Sequence, residues 1–307
     1  MGSRSDRAGA ILGQRAAVGM MTPSDFPMLL ANVASAVLLR GYEGVNLTFG
    51  QISREVSVPD FKEVSRVRMG GAPELEKVKD TGEYTLGSFD EAGEKYKIEK
   101  FGKRLAISRE TILNDDLDTM GRIPMAMGRK AAELENKLVY SILLKNPNMA
   151  DGQALFSAAH KNMVTAGLDE NGLEAALLKL REQKGLAGER IRVTPRNLVC
   201  SPRRERVARK LLVLSTNPTT TDETNPYQGI VGVVVEMDLL DLDDPLAYFL
   251  MADPQATDMI EFAYLEGHRQ PYIEWQTGFE IDGLQMKVRH EIGAKAIDHV
   301  GMVMVTP

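Results

Sequence analysis

The stretch GEKYKIEKFGKR at residues 93–104 places seven charged side chains among twelve residues. Its apolar residues Tyr96 and Ile98 keep the period-two spacing of a strand. Such a strand cannot lie at the centre of a sheet, because each ionised side chain would leave water without a partner. It belongs to an exposed ribbon or to a surface completed by another molecule. The apolar parity then moves to Phe101, Leu105 and Ile107, which predicts a bulge or bend near Gly102. The runs VSRVRM (64–69) and EYTLGSF (83–89), with turns containing Gly70, Gly71, Pro73, Gly87 and Gly93, complete an antiparallel ribbon.

Around the ribbon the sequence alternates helical and strand patterns, so the fold class is α+β. A cap at Ser24 or Asp25 and Pro27 in the first turn predict a helix from about Phe26, closed by Arg40 and Gly41. Met120, Ile123, Met127, Ala131, Leu134, Leu138 and Ile142 recur at spacings of three and four, the stripe of one long amphipathic helix. At 1.5 Å per residue it reaches about 40 Å, with Pro124 near its start and Pro147 past its end. Asn171 and Glu174 have capping-box spacing for a helix that Gly185 stops. NLVCSPRRERVARKLLVL reads as a strand, a Ser201 cap and a helix through about Leu214. Further strands are predicted at GIVGVVVE, AYFLMAD, IEFAYLE and PYIEWQTGF, followed by a hairpin around Asp282 and Gly283. Residues 1–22 read as an arm, and 214–229 as a polar loop.

The chain of 307 residues has an ordinary 43% hydrophobic content and a net charge of −6, which disfavours a dedicated nucleic-acid binder. Its single cysteine, Cys200, excludes an intrachain disulfide framework and multi-cysteine zinc patterns. The most apolar stretch, 28–39, is too short for a membrane span, and the amino end lacks a secretory signal. His160, His268, His290 and His299 have no helical metal spacing, and neither the common nucleophile motifs nor the phosphate-loop motifs occur. No catalytic residue, cofactor or metal is therefore expected. The acidic runs Asp115, Asp116, Asp118 and Asp241, Asp243, Asp244 lack calcium-loop spacing and read as turns and caps. Two alternatives stand beside a structural role: an enzyme using His160, and a DNA-binding module using the patch Arg203, Arg204, Arg206, Arg209 and Lys210. The bland readings are a hydrogen-bonded turn histidine and a solvated helix face.

Exposed arms and ribbons cost conformational entropy and bury little within their own chain. Neighbouring subunits offer that burial, with Glu94, Lys95, Lys97, Glu99 and Lys100 arranged for charge complementarity.

The succession SDFPMLLAN, KIEKFGKRLAISRETILNDDL, GRKAAELENKLVYSILL, DGQALFSAAHKN, ADP, IEFAYLEG and GFEIDGLQMKVRHEIGAKAIDHVG resembles the major capsid proteins of tailed bacteriophages, from about Thr22 to the end. It is most similar to Mu-like prophage heads and to capsid proteins fused to a ClpP-like prohead protease. The resemblance implies the Hong Kong 97-type capsid fold and a subunit that self-assembles through pentamers and hexamers into an icosahedral shell around double-stranded DNA. That implies localisation in the virion, after assembly in the bacterial host cytoplasm. Scaffold or protease, portal and decoration proteins are the further partners implied, and no membrane.

The implied segments are an N-terminal arm with a short helix (1–63), an extended E-loop (64–103) and a peripheral domain with the spine helix (104–150). An axial domain (151–270), a peripheral return (271–295) and a final axial strand (296–307) follow. Intersubunit contacts are expected from Arg66, Arg68, Lys77, Lys79, Glu94, Lys95, Lys97, Glu99 and Lys100. The protease of the fused relatives is missing from the sequence, which fits a processed or truncated form. No motif marks an acceptor for a crosslink from Lys77 or Lys79, so none is expected.

Overall fold

The computed structural model describes residues 25–69, 91–108, 110, 119–186, 188–213, 225–241, 246–277 and 283–307. The predicted arm, the EYTLGSF run and most of the Thr-rich loop lie outside them. In chain order the elements are α1 (Asp25–Glu43), β1 (Arg54–Val58), β2 (Val64–Met69), β3 (Glu91–Tyr96), β4 (Glu99–Ser108), α2 (Thr119–Lys145), β5 (Met163–Thr165) and α3 (Glu170–Arg181). They continue with β6 (Pro195–Cys200), α4 (Pro202–Leu212), β7 (Gly232–Val235), β8 (Tyr248–Ala252), β9 (Ile260–Leu265), β10 (Tyr272–Thr277), β11 (Gly283–Ala296) and β12 (Met302–Thr306). The chain divides into two compact units, and β4, α2 and β11 contribute residues to both.

In the smaller unit, Ala34 and Leu38 of α1 bury against Ile107 of β4, Ile273 of β10, and Met286 and Val288 of β11. β10 and β11 pair antiparallel from Tyr272↔Arg289 to Thr277↔Leu284, so the two strands are neighbours as predicted, but Gly283, expected in the turn, is already the first residue of β11, and the residues between the strands lie outside the described ones. α1 does not stop at Gly41. A Cβ there would lie 2.2 Å from the Met125 carbonyl oxygen, and one at Gly128 would lie 2.0 Å from that of Leu38. Both glycines let two helix backbones touch, and the chain leaves α1 at Gly44, whose N–H reaches the Arg40 carbonyl at 3.1 Å. Pro124 sits at the sixth position of α2, inside the helix rather than in its first turn.

The predicted bend at Gly102 falls elsewhere. Lys97 and Ile98 form the break between β3 and β4, which switches the apolar parity after Ile98. Gly102 lies inside β4, where a Cβ would meet the Val288 carbonyl oxygen at 2.8 Å, so its role is close strand approach.

In the larger unit, among the described residues, five strands are ordered β5-β12-β8-β6-β7. Every residue of β8, YFLMA, is buried, as expected of a central strand covered on both faces. Leu173, Ala176, Leu177 and Leu180 of α3 and Ala208, Leu211 and Leu212 of α4 join the same core. The cap of α3 is Asp169, whose Oδ1 accepts the Gly172 N–H at 2.7 Å. The expected box from Asn171 to Glu174 begins two residues too late, since Asn171 is already helical, and α3 ends before Gly185. A separate group pairs β1 parallel to β9, and β9 antiparallel to the second half of β11. Among the described residues no helix is long and apolar enough to cross a membrane.

The buried face of α2 is not centred on the predicted stripe. Ala131 and Ile142 of that stripe are buried, but so are Ala132, Glu135, Asn136, Val139, Tyr140 and Leu143 beside it, whereas Leu134 and Leu138 are half-buried. Glu135 Oε1 meets His290 Nε2 at 2.6 Å, and Asn136 Oδ1 accepts the Thr48 and Phe49 N–H groups at 3.3 Å each. Polar residues hold this face because they have partners there.

Gly128→Ala gains about 1 kcal/mol of helix propensity but must force apart two backbones, an overpacking cost of about 1–3 kcal/mol or more. A net loss of about 2 kcal/mol is expected in urea denaturation, whereas the same change at the open Gly50 should be nearly neutral.

Candidate functional site: the charged ribbon

β2 and β3 pair antiparallel from Val64↔Tyr96 to Met69↔Glu91, forming a two-stranded ribbon stem. Its register puts Val64 and Arg66 opposite Tyr96 and Glu94 on an inner face, while Ser65, Val67, Gly93 and Lys95 are exposed on the other. The inner face is fastened to its own chain at two buried carboxylates.

The first is Glu261 of β9, only 2% exposed. Arg66 Nε donates to its Oε1 at 2.6 Å, Arg54 Nη2 donates to Oε2 at 3.4 Å, and the Tyr96 hydroxyl donates to Oε1. Two guanidinium groups and a phenol compensate the lost hydration of one carboxylate. Burial, then the hydrogen bond to Glu261 and its charge, push the Tyr96 phenol well up. Burial alone would lower the Arg66 guanidinium, but Glu261 outweighs it and raises it. Tyr96, Ile98, Val58, Ala263 and Ile297 pack as an apolar cluster beneath this network.

The second anchor is Glu94, 7% exposed, which accepts the Ala150 N–H at 2.6 Å and faces Lys295 Nζ at 3.4 Å. Glu94 is thus engaged inside its own chain, unlike the solvent-facing role expected of it. Lys95 Nζ lies 3.7 Å from exposed Glu63, and Lys100 Nζ lies 3.9 Å from Glu291 and 5.5 Å from the Phe61 ring centre. Lys97 and Glu99 are exposed. Arg68 stands opposite Ala92 in the ladder, and Lys77 and Lys79 lie outside the described residues. Sequence reasoning missed Glu261 and Lys295. The lone acid in the apolar run IEFAYL was the available signal, but its partner Arg66 is 195 positions away.

The other candidates are structural in their surroundings. His160 Nδ1 donates to the Leu155 carbonyl at 3.0 Å, Nε2 meets Asp151 at 2.7 Å, and the ring stacks on His299 at 3.9 Å between centres. Burial pushes the Asp151 carboxyl up. The bonds from His160 and the Gln153 N–H, with the charges of both histidines, outweigh it and hold the carboxyl below its ordinary value. Burial pushes the Cys200 thiol up to about 12, which removes the thiolate a nucleophile needs at neutral pH. In α4, Arg209 Nε pairs with Glu205 at 2.7 Å and Arg204 Nε donates to the Leu246 carbonyl at 3.2 Å; Arg203, Arg206 and Lys210 are exposed.

Two outcomes are expected. Glu261→Leu leaves Arg66 and Tyr96 half-buried or buried without their acceptor and should cost about 3 kcal/mol in urea denaturation. Because the Asp151 pKa is depressed on folding, its contribution is complete above roughly pH 4 and is lost as pH falls through the lower folded value. His160→Ala should therefore flatten the acid limb of Tm against pH.

A family model described as phage capsid protein matches residues 91–305. A comparison with curated proteins finds no match. Among solved structures, that of Microbacterium phage Oxtober96 is 12% identical, covering 86% of this chain and 91% of that one with a TM-score of 0.59. The procapsid of bacteriophage JBD30 is 15% identical, with 94% and 76% covered and a TM-score of 0.53. A virus-like particle from Pyrococcus furiosus is 14% identical, with 88% and 96% covered and a TM-score of 0.52.

Proposed function

The chain belongs to the phage capsid protein family and is a major capsid protein of Hong Kong 97-type fold, and we propose that it joins its shell by laying the charged ribbon over an adjacent copy. In this reading residues 64–103 are the E-loop, α2 is the spine helix of a peripheral domain, and 1–63 is an arm with a short helix. The sheet β5-β12-β8-β6-β7 forms the axial domain, and the pairing of β12 with β5 and β8 supports giving it the final strand. β9 pairs with β1 and β11 instead, so a boundary drawn by hydrogen bonding falls between β8 and β9.

One observation carries the clasp: the inner face of the stem is tied to its own body by Glu261 and Glu94, while Lys95, Lys97, Glu99 and Lys100 remain exposed. A ribbon fixed at its base reaches a neighbour with less orientational entropy to lose, and repeated copies multiply weak contacts. Pentamers and hexamers then close around double-stranded DNA held without sequence preference. Scaffold or protease, portal and decoration proteins would dock on the same shell, assembled in the bacterial cytoplasm. The engaged ring nitrogens of His160 and the protonated thiol of Cys200 support a structural rather than catalytic subunit.

Replacing residues 70–90 by a tight turn leaves Glu261, Glu94 and the three described apolar clusters in place. The shortened subunit should melt as the parent does, yet stop at small oligomers in electron micrographs. Reversing Lys95, Lys97 and Lys100 together should slow assembly most at low salt, since exposed pairs are screened within about 10 Å at 0.1 M. Normal shells from the shortened chain would sink the assignment of the clasp.

A further inference from the structure

A cavity of about 640 Å³ opens at the C-terminal end of α3. Its wall carries Lys161, Lys179, Arg181, Lys184 and Arg190, together with the stacked rings of His160 and His299; Glu182 is its one acid among the described residues. Among the described residues none of those five cations forms an ion pair. In a chain of net charge −6 this is a local excess of the opposite sign.

Helix polarity accounts for part of it. Lys179 and Arg181 occupy the last turn of α3, where cations complement the helix dipole. It does not account for the rest. Lys184 and Arg190 face each other across an antiparallel bridge, closed by a turn in which the Gly188 N–H reaches the Gly185 carbonyl at 3.0 Å. Like charges directly opposite each other are destabilising. Lys161 adds a cation from a backbone with φ of 55°, a region where glycine or asparagine sits at lower cost. The wall is also fixed in place. Buried Gln183 donates to the Met302 carbonyl at 3.1 Å and accepts the Gly301 N–H at 2.7 Å, holding the segment that carries His299 against the end of α3.

Converging unpaired cations in a concave, braced wall are the arrangement that recognises clustered negative oxygens. We propose that this cavity binds a compact polyphosphate anion. The anion relieves the repulsion between Lys184 and Arg190 by lying between them and the cations of α3. Duplex DNA is the poorer fit, because its phosphates lie on a convex cylinder that cannot enter a cavity of this size.

The test is titration calorimetry of the purified full chain with sodium tripolyphosphate, with sulfate and a short blunt DNA duplex as comparison arms. Saturable tripolyphosphate binding that weakens as salt rises is expected, with a ligand-dependent rise in Tm. The double variant Lys184→Gln, Arg190→Gln should bind about tenfold more weakly or worse, yet melt no lower than the parent without ligand, since a like-charge pair is gone. Arg206→Gln, on α4, should bind as the parent does. If the double variant folds poorly, Lys161→Gln serves in its place, with a loss of about threefold expected. Absent binding, binding unchanged by these variants, sulfate binding as tightly as tripolyphosphate, or duplex DNA displacing tripolyphosphate would each overturn the proposal.

Discussion

A carboxylate almost without access to water, Glu261, holds the base of the ribbon. Isolated, such a group would be costly to bury; it persists here because Arg66, Arg54 and Tyr96 converge on its two oxygens. The convergence joins β9, the stem strands β2 and β3, and β1, which are distant in sequence. A two-stranded ribbon alone is marginal in water. Tying its inner face to a sheet lets the outer face stay charged without unravelling.

The same principle recurs wherever this fold buries polarity. Glu94 takes a backbone N–H and faces a lysine, Glu135 meets His290, and Asn136 accepts the two N–H groups at the start of the short helical turn Phe49–Gln51. Each satisfies a group that would otherwise be buried unpaired. These contacts fix local geometry tightly enough for small residues to be positional: Gly41 and Gly128 admit two helix backbones, Gly102 two strands, and Gly293 the break at Lys97 and Ile98. A capsid subunit needs such rigidity in its body if its extended parts are to meet neighbours at defined places.

The two kinds of charged surface differ in kind. On the ribbon the exposed charges are of both signs, Glu99 among Lys95, Lys97 and Lys100, which suits a protein surface of mixed charge. At the end of α3 they share one sign inside a concavity, which suits a small anion. Both arise from backbone geometry, the first from strand alternation and the second from a bridge that sets Lys184 against Arg190.

The sequence by itself determined the elements with strong periodicity: the long helix Thr119–Lys145, the all-apolar strand around Phe249, the hairpin of β10 and β11, and a ribbon too charged for any core. It also carried the succession of segments that resembles phage capsid proteins. Tertiary structure alone decided where polar residues turn inward. Glu135 and Asn136 displace the buried face of α2 away from Leu134 and Leu138, and Glu94 leaves the solvent side of the ribbon for Lys295. It also turned Gly41 from a helix stop into a packing contact. The physical reason is common to all of these: hydrophobic periodicity is local and survives in a window of a dozen residues, whereas the partner that makes a buried charge or bare glycine favourable lies far along the chain.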